Sequence, residues 1–156
     1  MVQKQVSVLI LVAAQCDEEF VVRCICQIRQ KGIDVALVGL YPGPVTGAHG
    51  IWLRPDINLA DIELTLDYGA PGMLILPGPH ECTMKLLFNP RVHQLIEATF
   101  RDGGRVAAVS PKTRDLLARS GLATPEEGEN GFIFQGQLTA GEFIERLAIE
   151  AELRNE

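Results

Sequence analysis

The 156-residue chain predicts an α/β fold: a single-domain, doubly wound, mostly parallel sheet with helices on both faces. Three observations predict it. Short apolar runs alternate with helical stretches along the whole chain. The runs are continuously apolar rather than alternating, as strands covered on both faces must be. Glycine and proline close the segments, at Gly32, Tyr41-Pro42-Gly43-Pro44, Pro77-Gly78-Pro79 and Gly103-Gly104. With 47% hydrophobic residues and no internal repeat or linker, residues 1–156 read as one domain with a substantial core.

Residues 6–14 read as the first strand and 17–31 as a helix closed by Gly32. A second strand spans 34–40, a short one 51–53, and a short helix 59–66. Residues 73–76 form a buried strand. Asn89-Pro90 opens a helix, because proline suits the first helical position, and Val92, Leu95, Ile96 and Phe100 share one face of it. A strand at 106–109 runs into a helix starting at Pro111, and 132–134 is the last strand. Thr139-Ala-Gly-Glu142 is a capping box that opens a terminal helix burying Phe143, Ile144 and Leu147.

The net charge of −6, with no basic run, excludes a nucleic-acid or anionic-membrane partner. Glu126, Glu127 and Glu129 read as a solvated loop. A lysine before a short apolar run ending near Cys16 is a feature of secretory signals. Gln15 rather than a small residue precedes that cysteine, however, and the run reads as a buried strand. No segment is long enough to span a membrane. The four cysteines (Cys16, Cys24, Cys26, Cys82) have neither disulfide-framework nor zinc-site spacing, so a reducing cytoplasm is expected.

In a doubly wound sheet, ligands bind outside the carboxyl ends of the strands at the switch point. The loops at 15–19, at 77–83 and at Ser110 are therefore expected to share one crevice. Ser110 sits on a strand-to-helix bend, where such folds expose a nucleophile. Yet Pro111 follows it and has no N–H to offer an oxyanion. Serine as N-cap with proline at the first helical position is also a favourable helix start that requires no catalysis. Asp17, Glu18 and Glu19 suit a helix's first turn. His80 and Cys82, near Cys16, could make a relocated nucleophile, a redox sensor or a partial metal site. Cys24 and Cys26 read as core or near-core thiols on different faces of the first helix, and His49 and His93 as exposed and without partners.

The stretches V-L-I-L-V-A-A-Q-C-D-E-E-F, K-G-I-D-V-A-L-V-G-L, P-D-I-N-L-A-D-I, M-L-I-L-P-G-P, G-G-R-V-A-A-V-S and G-F-I-F, in that order, cover nearly the whole chain. Together they resemble the ThiJ/PfpI superfamily, the Parkinsonism-associated deglycase group within the flavodoxin-like, class I glutamine amidotransferase-like fold. The resemblance implies a cysteine at the elbow, a glutamate from the loop or helix after the first strand, a nearby histidine and two backbone oxyanion donors. Carried over residue by residue, the elbow is Ser110. The glutamate's place aligns with Phe20, with Glu18 and Glu19 close by. The two donor positions are Pro79 and Pro111, and the histidine-bearing stretch is missing between the elbow helix and the last strand. The superfamily often uses the region of Trp52 and the first helix in dimer contacts. That helix, with Phe20, Val21, Val22, Ile25 and Ile28, is apolar enough to bury one face on the sheet and part of another on a partner, the alternative being a plain core role.

The expectation is a shortened, non-catalytic, cytoplasmic member acting as a homodimeric binding or regulatory scaffold. No cofactor or metal is expected. A small ligand would occupy a crevice lined by Cys16, Pro79, His80, Cys82 and Pro111. One alternative is a hydrolase, amidase or deglycase-like enzyme using Ser110 with Glu18 or Glu19. A further alternative is a thiol redox or metal sensor built on Cys16, His80 and Cys82.

Overall fold

The computed structural model describes residues 7–62, 70–119 and 131–154. Six parallel strands form the sheet: β1 (Val8–Val12), β2 (Val35–Gly39), β5 (Ile57–Asn58), β6 (Met73–Leu76), β7 (Arg105–Ala108) and β8 (Phe132–Phe134). A separate two-stranded hairpin pairs β3 (Val45–Thr46) with β4 (Trp52–Leu53). The helices are α1 (Glu18–Gln30), α2 (His80–Leu87), α3 (Pro90–Arg101), α4 (Thr113–Arg119) and α5 (Ala140–Arg154). No helix among the described residues is long and apolar enough to cross a membrane.

The sheet order is β5-β2-β1-β6-β7-β8, with Ile10 of β1 flanked by Leu37 and Ile75. All five residues of β1 are buried, which explains why the strand reads as an unbroken apolar run. The chain winds outward from β1 in one direction and from β6 in the other. Right-handed crossovers therefore put α1 and α3 on opposite faces. Phe20 of α1 stacks on Phe143 of α5 at 6.1 Å between ring centroids, joining those two helices over one face. Val92, Leu95 and Ile96 of α3 are buried, with Phe100 packed against the same core.

The helix starts follow the chemistry of their first residues. The side chain of Asp17 accepts a hydrogen bond from Phe20 N (3.3 Å), and that of Asn89 from Arg91 N (2.9 Å) with Pro90 first in the helix. Thr139 and Glu142 close their box reciprocally, at 3.0 and 3.2 Å. Gly32 and Gly103 take positive φ just past α1 and α3, where a side chain would be strained.

Several boundaries depart from the sequence expectation. Residues 80–83, read as loop, begin α2. This helix has only eight residues and is capped by Pro79 without a side-chain bond, so neither periodicity nor a polar cap announces it. The hairpin strand β3 and the edge strand β5, two residues each, fall below any periodic signal. The strand expected at 106–109 lies one residue earlier, and the helix expected from Pro111 begins at Thr113 because residues 109–112 form a turn. Of the helix expected at 59–66, the turn Leu59–Asp61 is 3-10, while 63–69 lies outside the described residues. The acidic cluster at Glu126, Glu127 and Glu129 also lies outside them.

Candidate functional site

β1 and β6 are neighbours from which the chain departs in opposite directions, so their carboxyl ends frame the switch point. Direct bonds stitch that opening. Asp17 N donates to Gly78 O at 2.8 Å, joining the loop after β1 to the loop after β6. The Cys82 thiol lies 3.9 Å from Ala13 O, and Lys85 Nζ donates to Gln15 Oε1 at 3.1 Å. Gly78 abuts the elbow, since a Cβ there would come 3.0 Å from Val109 Cγ1. The loops after β1, β6 and β7 therefore meet.

Ser110 is buried at this junction. Its Oγ accepts from Lys112 N at 3.3 Å, and its carbonyl accepts from Thr113 Oγ1 at 2.9 Å and Thr113 N at 3.3 Å. The serine thus closes the turn that starts α4. Pro111 and Pro79 are both exposed, and neither has an N–H to donate. Residues 120–130, where the histidine-bearing stretch is expected to be missing, lie outside the described residues.

The two acids separate. Glu19 is exposed, whereas Glu18 is 1% exposed and turned toward the loop at 47–51. Its carboxylate accepts from His49 N (2.8 Å to Oε2), from Ile51 N (3.0 Å) and from His49 Nδ1 (2.8 Å). Burial alone raises the pKa of such a group. The N–H groups of Glu18 itself and Ile51, with the ring and N–H of His49, outweigh burial and hold the carboxyl at about 2. The same hydrogen bond and charge raise His49 above its ordinary value, against a smaller effect of burial. Among the described residues no hydrogen bond joins Glu18 to Ser110. Asp17, Glu18 and His49 bring potential metal-ligand atoms within 4.8 Å of one another, but both carboxylates already accept backbone N–H groups.

Sequence reasoning missed the Glu18–His49 pair. Both residues look ordinary locally, one as a helix-start acid and the other as a loop histidine, and 31 positions separate them. The remaining histidine expected to lack a partner, His93, bonds through Nε2 to Leu87 O, across the short gap between α2 and α3.

Burial pushes the Cys16 thiol up to about 12, with Cys82, Glu18 and Asp17 adding to the effect. It pushes Cys82 to about 11 and Cys24 to about 12. These thiols are protonated at neutral pH and are poor nucleophiles there. Cys26, read with Cys24 as a core or near-core thiol, is exposed, because two positions along a helix is more than half a turn. His80 is exposed at the first position of α2 while Cys82 is buried, so they do not form a pair on one face. A cavity of about 310 Å³ lies between the turn after β5 and the start of α3, lined by Leu59, Ile62, Arg91, Gln94 and Leu95. It shares no residue with the expected crevice.

The model of the DJ-1/PfpI family matches residues 6–144. The chain belongs to the DJ-1/PfpI family. Among solved structures, DJ-1beta of Drosophila melanogaster superposes with a TM-score of 0.77 at 21% identity, covering 97% of this chain and 95% of that one. The oxidized DJ-1 of Toxoplasma gondii gives 0.74 at 18%, covering 96% and 95%, and DJ-1 of Schizosaccharomyces pombe 0.70 at 17%, covering 96% and 98%. These likenesses establish the fold. No curated protein matches the sequence. Within the matched span, Ser110 lies in the turn after β7, and of the two acids that open α1 Glu18 is buried and Glu19 exposed.

Proposed function

We propose that this DJ-1/PfpI-family chain is a non-catalytic homodimeric scaffold with a binding or regulatory role. One observation carries the reading: the buried Glu18 carboxylate is engaged by the 47–51 loop, and among the described residues no hydrogen bond joins it to Ser110. A neutral serine needs a base to act as a nucleophile. The Ser110 Oγ instead accepts the Lys112 N–H, as a helix-start serine does. Proline at both donor positions adds to this, because losing a single oxyanion donor costs about 100- to 1000-fold in turnover.

The dimer half of the reading is supported by exposed apolar side chains on α1 and the hairpin. Val22 is 45% exposed, Ile51 56% and Trp52 72%. Ile51 N donates to Glu18, which ties the hairpin loop to the helix that carries Val22.

The test is intact-mass and peptide-mapped labelling of the folded protein with a serine-directed fluorophosphonate. No adduct on Ser110 is expected, and a saturable adduct there overturns the non-catalytic reading. Sedimentation velocity of the native chain and Trp52→Glu tests the scaffold. A dimer that the substitution dissociates is expected, and a monomeric native chain removes that part.

A further inference from the structure

The hairpin of β3 and β4 is held together by only two residue pairs, Val45 with Leu53 and Thr46 with Trp52. A two-stranded ribbon of that length has no independent stability in water, so something outside it must fix its position. The loop at its tip is bonded to the segment that opens α1. Gln15 N donates to Thr46 O and Ala48 N to Cys16 O, both at 2.8 Å, and between them the carboxylate of Glu18 receives the N–H groups of His49 and Ile51.

Gly47 shows how closely the carboxylate is fitted. A Cβ on that residue would lie 2.1 Å from Glu18 Cδ and 2.4 Å from Oε2. The backbone of Gly47 lies outside the left-handed region, so glycine is required there for room and not for conformation. A buried carboxylate that has lost its water must recover its hydrogen bonds from the protein, and this one does so from two backbone N–H groups and an imidazole.

We propose that Glu18 and the 47–51 loop form a carboxylate latch that fixes the β3–β4 hairpin, and with it Trp52, against the start of α1. Glu18 is a positioning residue that acts through the loop. The latch stands on local geometry and holds even if the chain proves to be an enzyme or a monomer.

Trp52 is the chain's one tryptophan, so its fluorescence anisotropy reads the hairpin directly. In Glu18→Ala the anisotropy of Trp52 falls. Amide exchange at His49 and Ile51 rises by about tenfold or more, the scale set by losing one hydrogen bond to a charged group. Glu18→Gln, which keeps an acceptor oxygen, recovers part of both.

The decisive comparison uses Gly47→Ala in two backgrounds. In the native chain it loosens the hairpin as Glu18→Ala does, and in the Glu18→Ala background it changes nothing further. Equal effects in the two backgrounds, or unchanged exchange and anisotropy in Glu18→Ala, overturn the latch. Exchange in the unmodified protein decides between the outcomes even if the variants fail to fold: slow exchange at His49 and Ile51 supports the latch, and exchange as fast as a free loop overturns it.

Discussion

Two bends flank the switch point, and they are built on opposite plans. The bend after β7 is held largely by its own turn, with a serine oxygen accepting one N–H and a carbonyl accepting two donors from Thr113. The bend after β1 buries a charge and recruits a loop more than 30 residues away to satisfy it. The first costs little to form because serine and proline already favour that geometry. The second works only with several partners at once, because a buried carboxylate lacking any of its donors is strongly destabilising. Two bends at one switch point can therefore be stabilised by unrelated means, one by its own turn residues and one by a distant loop.

Leu76, fully buried, ends the strand between the two bends: its carbonyl accepts from Val109 N, and two residues on Gly78 O accepts from Asp17 N. Leu76→Ala is expected to cost about 2–5 kcal/mol in chemical denaturation and to loosen both regions together. A loss confined to one bend would separate regions that the shared strand should couple.

Acid should act on only one of them. The Glu18 carboxyl sits at about 2 against an ordinary 4.5, so its stabilisation is complete above 4.5 and is lost as pH falls through the interval down to about 2. The raised His49 has the opposite sign. Its contribution is present below 6.5 and disappears as pH rises through its folded value. Denaturation midpoints measured across this range should decline at both ends. In Glu18→Gln both slopes should flatten, and slopes that persist there would assign them to other groups.

Ser110→Ala is the smallest change. It removes one accepted hydrogen bond at a turn and should cost about 1 kcal/mol, with the secondary structure intact by circular dichroism. A loss well beyond about 2 kcal/mol would mean that the hydroxyl supports more than the turn.

The sheet was legible in the sequence because its signals are local and repeated. Met73–Leu76 and Phe132–Phe134 appear as their own apolar runs, and Thr139 with Glu142 announces α5 three positions apart. Ser110 was legible only in part: serine before proline reads as the N-cap of a helix from Pro111, whereas α4 begins at Thr113 and Ser110 sits in the turn before it. The short α2 and the two-residue strands were not, because eight residues or fewer carry too little period. Least legible was the role of Glu18. Three acids in a row at a helix start look interchangeable, and only tertiary contact with Gly47, His49 and Ile51 distinguishes the middle one.

The absent Cβ at position 47 also orders the changes this chain can accumulate. While Glu18 is present, every other residue at 47 meets its carboxylate, so glycine is held there by a neighbour remote in the chain. Once position 18 shortens, that constraint is lifted and 47 is free to vary. Substitutions at the two sites are thus passable in one order and blocked in the other, and related sequences that keep an acid here should keep the glycine with it.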